Sequence, residues 1–564
     1  MVDVGKVIVG DPTMLEEGVE LAQVLPALDL EVENDSDKDG ERRGLNAFTV
    51  LVLVVGVLGG LLFGLDLGTA AITSMDTFRS EMGIPVLIPG QPDSQSTVNQ
   101  LSLFQVLFHV FTILGAPFAG QLSDRFGRKP LIVVAIALFF AGALWQSCAG
   151  LISHSFAWTS VLLGRCLGGI GNGFILTIMP VYAAELSPAK YRGKVLTLFQ
   201  FNVTVGIFVM ALINKFIQDI SYGWRIGFAV RCVPCVLIFA LAEFMLPESP
   251  RYLLKHGRVD AAYLALMRLS KGSKAMTEGE IKDISEELKE LDKVGEGGFE
   301  ELFQGAAFPA LICGFMVAFS QNVTGNNWFM NYATQLFSSL GFDPFVWDLV
   351  LKVVFMIATL AALFLVERFG RKFLTVWGTL LTILIFLLVG LVILTTNADV
   401  FNVSPTDSER AVQWFTLVMI FAYIVVFAVT WGPLAWLIPA EVFPIRVRGK
   451  GMSLAVVANM LTNIILGDYG YNSLNTATSL QATCMIIVGL NVFIVLSTAV
   501  FLQPETKGVS LEDMRKVFGY ERHGNTSKRH GTMHEFYKRN FDQTLVILRC
   551  RSTNPKLGFN RFDT

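Results

Sequence analysis

The stretch Asp124-Arg125-Phe126-Gly127-Arg128-Lys129 returns later as Glu367-Arg368-Phe369-Gly370-Arg371-Lys372, and this repeat decides the fold. Two shorter signatures also occur twice in the same order, roughly 250 residues apart: Glu185, Pro188 and Arg192 return as Glu441, Pro444 and Arg448, and Pro247-Glu248-Ser249 returns as Pro504-Glu505-Thr506. The chain therefore contains two homologous halves. Because each copy adjoins a long apolar run, each half is predicted to be a bundle of membrane spans with charged hinges, the layout of a rocking transporter.

The composition indicates a membrane protein. Of the 564 residues, 53% are hydrophobic and 16% are charged, and the mean hydropathy is +0.54. A helix needs about 20 apolar residues to cross about 30 Å of hydrocarbon. Runs of that length are predicted at 47–73, 98–122, 130–150, 158–184, 195–217, 224–246, 307–335, 346–366, 373–395, 412–440, 451–469 and 479–502. The sequence thus predicts twelve spans, six in each half.

The polar segments divide the chain further. Helical spacing of apolar residues at Ala261–Leu269 and Glu280–Leu291 predicts short amphipathic helices between the halves. The C-terminal tail contains a basic cluster and is predicted to be solvated and partly disordered, with contact to acidic lipid headgroups or a cytosolic partner as the alternative. The predicted divisions are an N-terminal tail (1–46), a six-helix bundle (47–247), a linker (248–306), a second bundle (307–503) and the C-terminal tail (504–564).

The distribution of basic residues predicts the orientation. One set of short loops contains Arg125, Arg128, Lys129, Lys190, Arg192, Lys194, Arg368, Arg371, Lys372, Arg446, Arg448 and Lys450, whereas the opposite loops contain Arg79 and Arg410. Because Lys and Arg concentrate on the inner side, the basic loops and both termini are predicted to be cytoplasmic, with the plasma membrane as the expected location. The acidic N-terminal segment has no signal-peptide pattern, so the first span is expected to direct insertion.

Several function classes are not supported. A net charge of -3 with scattered basic residues argues against nucleic-acid binding. The isolated His109 and His154 offer neither a catalytic cluster nor metal ligands, and no phosphate-binding glycine loop is present, so we expect no enzyme, no cofactor and no ATP drive. Cys232 and Cys235 lie in an apolar helix, which favours packed thiols over a redox pair. The protein is expected to function as a monomer.

Ionisable residues inside spans are functional candidates because burying a charge in hydrocarbon is costly. Asp66 lies among glycines of the first span, and Arg165 precedes a run of glycines in the fourth. If they pair, protonation of the carboxylate would release the arginine and couple a proton to a conformational change. The alternative is a permanent ion pair that only fixes packing. Arg231 and Lys352 also lie in spans, without an identifiable partner, and His109 is expected to be a packed, hydrogen-bonded ring.

Uncharged amides cluster in three spans. They are Gln200 and Asn202 in the fifth; Gln321, Asn322, Asn326, Asn327 and Asn331 in the seventh; and Asn459 and Asn463 in the eleventh. Amides both donate and accept hydrogen bonds, so they suit a neutral, hydroxyl-rich ligand, and Trp436 adds a flat apolar face for a sugar ring. The alternative is hydrogen bonding between helices.

The repeated charges are predicted to form a gate on the cytoplasmic side. Glu185 with Arg192, and Glu441 with Arg448, are expected to lock the gate when paired and to open it when the halves rock apart. The alternative is that the charges only set topology. The predicted network consists of Asp124, Arg125, Arg128, Glu185, Arg192, Glu248, Glu367, Arg368, Arg371, Glu441, Arg448 and Glu505.

These residues resemble a known family. Asp124–Lys129, Arg165 with its glycine run, Pro247–Tyr252, Thr430–Trp436 with the following Glu441–Pro444, and Pro504–Gly508 are similar to the motifs of the sugar porter branch of the major facilitator superfamily, over about residues 47–510. The resemblance implies an all-α membrane protein of the major facilitator fold, with twelve transmembrane helices in two six-helix bundles related by pseudo-two-fold symmetry. It also implies alternating access to a central sugar site.

The resemblance also implies site residues. The family's sugar contacts match Gln200, Gln321, Asn322, Asn327, Trp436 and Asn459. Asp66 matches the first-span position that is Asp in proton-coupled members, although some facilitators keep Asp there. The chain departs from the family at Asn322, where Gln is usual, at Leu65, where an aromatic is usual, and in the eighth span, which lacks an asparagine, so the choice of sugar stays open.

We therefore predict a transporter whose partners are a small sugar, protons and the lipid bilayer. The expected substrate is a hexose such as glucose, moved by alternating access with proton symport through Asp66 and Arg165. The alternatives are a passive hexose facilitator and a sugar receptor that has lost transport.

Overall fold

The computed structural model describes most of the chain outside its two ends. The described residues are 47–85, 95–151, 156–188, 191–270, 273–292, 298–305, 307–326, 337, 343–396, 398, 400, 405–444, 447–470, 480–507, 509, 514–518, 520–523, 526–529 and 533–549. The acidic N-terminal segment, and Asn327 and Asn331 of the predicted seventh span, lie outside them.

Six spans of the first half are described. They consist of Ala47–Val57 with Gly59–Gly68 and the 3₁₀ helix Thr69–Ser74; Gln95–Phe126; Arg128–Ser147; Ala157–Leu186; Arg192–Ile217; and Gly223–Ala229 with Cys232–Met245. A short helix, Asp76–Glu81, follows the first span.

The second half repeats the arrangement. Its helices are Ala307–Val323; Pro344–Phe369; Arg371–Thr396; Asp407–Val429 with Trp431–Val442; Arg448–Thr462 with the π-helix Asn463–Gly470; and Leu480–Leu490 with the π-helices Asn491–Leu496 and Thr498–Leu502. Eleven segments in the described part are long and apolar enough to cross a membrane, and Ala307–Val323 is a shorter apolar helix at the position of the seventh span. The predicted twelve-helix fold is consistent with this arrangement.

Two glycines explain why spans follow one another so closely. Gly127 has a φ of 101° and Gly370 has a φ of 86°. Residues other than glycine rarely adopt backbone conformations with φ in this range. Each glycine ends one helix and lets the next begin at the following residue, Arg128 or Arg371. The two copies of the Arg-rich signature therefore form tight hinges on one membrane face, which we call the signature face.

The glycine run after Arg165 serves close helix packing. A Cβ on Gly169 would lie 2.6 Å from the Phe108 carbonyl oxygen of the second span, and a Cβ on Gly171 would lie 2.8 Å from the Phe139 nitrogen of the third. The fourth span is thus wedged between two neighbours at backbone contact, as small residues allow.

The linker and tail contain additional structure. The linker forms the helices Pro250–Lys255, Val259–Leu269 and Lys274–Asp292, so the two predicted amphipathic helices are present. The tail contains a short helix, Met514–Val517, an antiparallel hairpin of Tyr520–His523 and Thr526–Arg529, and the helix Met533–Arg549. The tail helix packs against the twelfth span through buried Asn540 and Thr544, so a solvated tail is the wrong description of this segment.

The two halves meet closely at the signature face. A Cβ on Gly120 of the second span would lie 2.7 Å from the Gly449 carbonyl oxygen of the eleventh. A Cβ on Gly193, at the start of the fifth span, would collide with the Glu367 carboxylate and the Arg371 guanidinium of the second half. The obstructing atoms at Gly120 are backbone, so glycine is required there, and the halves are closed against each other on this face.

We expect Gly120→Leu to destabilise the conformation that is closed at the signature face. The added side chain meets backbone atoms that cannot rotate away, and overpacking of this kind costs about 1–3 kcal/mol. Transport of radiolabelled sugar into liposomes should fall sharply. Gly489→Leu is the matched control, because nothing lies within 4 Å of a Cβ at that position. Equal transport by both variants would contradict the assigned contact.

Candidate functional site

A buried ion cluster joins three spans of the first half. Asp66 and Arg231 are each 1% exposed, and Arg165 is fully buried. The Arg165 Nη1 donates to both carboxylate oxygens of Asp66, at 2.8 and 2.7 Å. The Asp66–Arg165 pair predicted from the sequence is therefore present in the structure.

Arg231 of the sixth span is the second partner of Asp66. Its Nη1 donates to Asp66 Oδ1, and its Nη2 donates to the amide oxygen of Gln146. The expectation that Arg231 has no identifiable partner is wrong. The same expectation is wrong for Lys352, which pairs with Asp348 one helical turn away at 3.3 Å.

Arg165 has further hydrogen-bond acceptors besides Asp66. Arg165 Nε donates to the Phe104 carbonyl oxygen at 3.0 Å, and its Nη2 donates to Gln105 Oε1 at 2.6 Å. The guanidinium also lies 4.1 Å from the Phe104 ring centroid and 4.3 Å from that of Phe108, which are favourable cation–π distances. One carboxylate thus faces two well-anchored guanidiniums, and these three groups carry one more positive charge than negative.

The predicted amides of the seventh and eleventh spans are brought together. Asn459 Nδ2 donates to Gln321 Oε1 at 2.8 Å, and Asn322 Nδ2 donates to the Asn459 carbonyl oxygen at 2.8 Å. Gln321 Nε2 donates in turn to the Gly432 carbonyl oxygen of the tenth span at 2.9 Å. Three spans of the second half are therefore joined by one amide network.

Gln200 and Trp436 extend this network toward the first half. A Cβ on Gly432 would lie 3.7 Å from the Gln200 Nε2 of the fifth span. The Trp436 ring packs edge-on against Phe63 of the first span at 6.3 Å and lies 5.9 Å from Phe199 of the fifth. Amides and aromatic rings from both halves thus meet around Gly432.

Other polar residues of these spans have separate roles. Asn202 donates to the Val57 carbonyl oxygen at 3.2 Å and so ties the fifth span to the first. His109 is 3% exposed, and its Nε2 lies 3.3 Å from Asn463 Nδ2 of the second half. This is the packed, hydrogen-bonded histidine that the sequence predicted.

The three doubled signatures converge on one cluster in each half. In the first half, Arg128 Nη2 contacts Glu185 Oε1 at 3.0 Å and Asp124 Oδ1 at 3.3 Å. The Ser249 hydroxyl donates to the other oxygen of Glu185 at 2.6 Å. Glu248 accepts hydrogen bonds from the backbone N–H groups of Arg128 and Lys129, at the beginning of the third span.

The second half repeats these contacts. Arg371 Nη2 contacts Glu441 Oε1 at 2.9 Å and Glu367 Oε1 at 3.4 Å. The Thr506 hydroxyl donates to Glu441 at 2.7 Å. Glu505 accepts from the backbone N–H groups of Arg371 and Lys372, both at 3.0 Å. A carboxylate therefore caps the N-terminus of the ninth span, as Glu248 caps the third, where it meets the positive end of the helix dipole.

The ion pairs differ from those proposed for the gate. Glu185 pairs with Arg128 and Glu441 with Arg371, whereas Arg192 and Arg448 each donate from Nε to a backbone carbonyl, that of Ala184 or Phe443, at 3.3 Å. These pairs join helices of the same half. The backbone contact of Gly120 with Gly449 joins the two halves on the signature face.

The remaining signature residues lie at the membrane surface. Arg125 and Arg368 are exposed, and each guanidinium lies over the phenylalanine that follows it, at 5.3 and 5.6 Å from the ring centroid.

Burial raises the pKa of the Glu248 carboxyl, although the backbone N–H donors act in the opposite direction. In the part of the chain that the structure describes, no group of His, Cys, Asp and Glu could hold a metal ion.

Comparison with known proteins decides the family. The family described as "Sugar (and other) transporter" matches residues 52–518. The chain belongs to the sugar porter family of the major facilitator superfamily. It is therefore a multi-pass membrane transporter of sugar, and not an enzyme.

Individual relatives agree with this assignment. Sugar transport protein 10 of Arabidopsis thaliana is 31% identical over 494 residues, covering 84% of this chain and 91% of that protein. H(+)/hexose cotransporter 2 of Parachlorella kessleri is 32% identical over 496 residues, covering 85% and 88%. Among solved structures, the proton:xylose symporter XylE bound to 6-bromo-6-deoxy-D-glucose has a TM-score of 0.72 at 26% identity, covering 84% of this chain and 99% of that one.

We expect Glu441→Gln to destabilise this sugar porter more than Glu367→Gln. Glu441 is 3% exposed, and removing its charge leaves Arg371 buried without its main partner, at a cost of about 3–5 kcal/mol. The Glu367 side chain is 21% exposed, so its loss should cost about 1 kcal/mol or less. Thermal unfolding in detergent measures both. Equal shifts in melting temperature for the two variants would show that the burial of the Glu441–Arg371 pair does not determine its contribution to stability.

Proposed function

We propose that this protein is a proton symporter of a neutral hexose such as glucose. The observation that carries the proposal is the buried carboxylate of Asp66 between two guanidiniums, in the same half as Gln200 of the amide site. The relatives named above support it, since one is named an H(+)/hexose cotransporter and the solved structure is titled a proton:xylose symporter bound to a glucose derivative.

The proposed sugar site is the set of groups around Gly432. Its members are Gln200, Gln321, Asn322, Trp436 and Asn459, and Asn327 is added on the family resemblance alone. The amides donate and accept without carrying charge, which suits hydroxyl groups, and the Trp436 ring offers an apolar face. Gln200 is 5% exposed and its amide has no hydrogen-bond partner in the described part of the chain, so it is the residue best placed to bind a hydroxyl.

The proposed coupling follows from the charges around Asp66. When the carboxylate is ionised, it holds Arg165 and Arg231 together. Protonation removes the negative charge and leaves two guanidiniums side by side, and like charges in a low-dielectric interior repel strongly. The first, fourth and sixth spans then favour a different arrangement, which links the proton to the conformational change.

The driving force is sufficient for accumulation. Moving one elementary charge through 100 mV yields about 2.3 kcal/mol, and a gradient of one pH unit yields about 1.4 kcal/mol. Together they would sustain a sugar gradient of several hundred-fold.

The orientation and gate belong to the same proposal. The signature face would be cytoplasmic, with both termini inside and the plasma membrane as the location. The segments 1–46, 47–247, 248–306, 307–503 and 504–564 would be the tail, first bundle, linker, second bundle and second tail of a functional monomer. The clusters around Arg128 and Arg371 would keep each half rigid as the gate opens and closes.

Labelled-glucose uptake by the purified protein in liposomes tests the coupling. Wild-type protein should accumulate sugar against its gradient only when a proton gradient is imposed. Asp66→Asn should abolish accumulation, because the amide cannot take up and release a proton. Arg231→Gln should uncouple part of the flux from the proton gradient, because the repulsion between guanidiniums is removed. Downhill flux of the same size in wild-type protein and Asp66→Asn, independent of the gradient, would make the protein a facilitator.

Sugar binding tests the site separately. Gln200→Ala should weaken glucose binding roughly fivefold, the loss of about 1 kcal/mol for one hydrogen bond. Asn202→Ala is the control, since that amide is used to bind the Val57 carbonyl. Isothermal titration calorimetry on both variants gives the dissociation constants, and equal affinities in the two would place the sugar elsewhere.

A further inference from the structure

The C-terminal helix Met533–Arg549 is fastened to the second Arg-rich signature. Lys372 is fully buried, and its Nζ donates to the carbonyl oxygens of Val500, Gln503 and Asn540, the last at 2.6 Å. Asn540 Nδ2 donates back to the Phe501 carbonyl oxygen at 2.9 Å. This helix therefore has a fixed position at the signature-face end of the twelfth span.

A groove of about 720 Å³ runs between this helix and the seventh and twelfth spans. Its lining is mostly apolar and includes Met316, Phe493, Phe501, Tyr537, Lys538 and Phe541. Phe493 is 79% exposed within a membrane span, so this end of the groove opens to the lipid. Lys538 is exposed and lies on the C-terminal helix, which is hydrogen-bonded to the end of the twelfth span.

The part of the tail that contains Lys538 is basic in sequence. Residues 514–549 contain eight Lys and Arg residues against three Asp and Glu residues, whereas the whole chain has a net charge of -3. Arg539 donates to the Val517 carbonyl oxygen and so fixes the preceding segment. Lys538, its neighbour, is exposed and lines the groove.

We propose that this groove binds an anionic phospholipid of the signature-face leaflet. One acyl chain lies along Phe493, Phe501 and Met316, and the phosphate-bearing headgroup lies at Lys538. The groove has the two properties such a ligand requires, because its apolar lining opens to the bilayer at Phe493 and includes one exposed cation, Lys538. A zwitterionic phospholipid would fill the channel equally well but gain less from the ammonium.

Native mass spectrometry of the full chain in detergent tests this site. Dioleoyl phosphatidylserine and dioleoyl phosphatidylcholine are added at equal concentration, so that only the headgroups differ. Wild-type protein should bind phosphatidylserine about fivefold more, which corresponds to about 1 kcal/mol for one Lys near the surface. Lys538→Gln should remove the preference. Lys282→Gln should keep it, because Lys282 is an exposed lysine of the linker helix that does not line the groove.

Further arms identify the ligand and the groove. Ser497→Trp fills the groove and should reduce the binding of both phospholipids. Oleate that displaces phosphatidylserine at equal concentration would make the ligand a fatty acid and overturn the phospholipid proposal. Displacement by glycerophosphoserine, which has no acyl chain, would show that the groove is not used. Equal loss of preference in Lys538→Gln and Lys282→Gln would show that only net charge matters.

Discussion

The structure depends on one constraint: a charge within the hydrocarbon region must be compensated by partners held at contact distance. Asp66 satisfies this with Arg165 and Arg231, but only because the spans approach closely enough for short hydrogen bonds. Gly169 and Gly171 let the fourth span reach backbone contact with the second and third, and Arg165 of the same span donates to the Phe104 carbonyl oxygen and to Gln105 of the second span. Close packing through the glycine run therefore holds Arg165 in position, and Arg165 in turn compensates the buried carboxylate.

The same constraint explains why the charged signatures are repeated as sets. Each set supplies a guanidinium, a buried carboxylate and a hydroxyl that donates to that carboxylate, and a second carboxylate that caps the helix after a left-handed glycine. A Cβ at Gly127 or Gly370 would collide with the capping Glu248 or Glu505, so sterics as well as conformation require glycine. Because the contacts of each set lie within one half, each bundle is tied together at its charged end.

Much of this could be predicted from the sequence, because repetition and apolar length are local signals. The spans and the linker helices follow from such signals. The Asp66–Arg165 pair and the meeting of Gln321 with Asn459 were predictable for another reason, since ionisable and amide side chains are few inside the spans and so have few candidate partners. The partners of Arg231 and Glu185 could not, since a pair across 165 or 57 residues depends on which faces of the helices meet. The packing of the tail helix could not be predicted from the sequence either, because the helix is held by a hydrogen bond from Lys372, more than a hundred residues away.

The first span connects the two parts of the candidate site. Asp66 contacts Arg165 and Arg231 of its own half, and Phe63, three residues earlier in the same helix, packs against Trp436 of the other half. A displacement of this helix therefore moves an element of the ion cluster and an element of the aromatic contact together. The amides do not depend on the first span for their position, because Gln321 is hydrogen-bonded to Asn459 and to the Gly432 carbonyl oxygen. The position of the first span is therefore a direct mechanical link between the buried charge and the surroundings of Trp436.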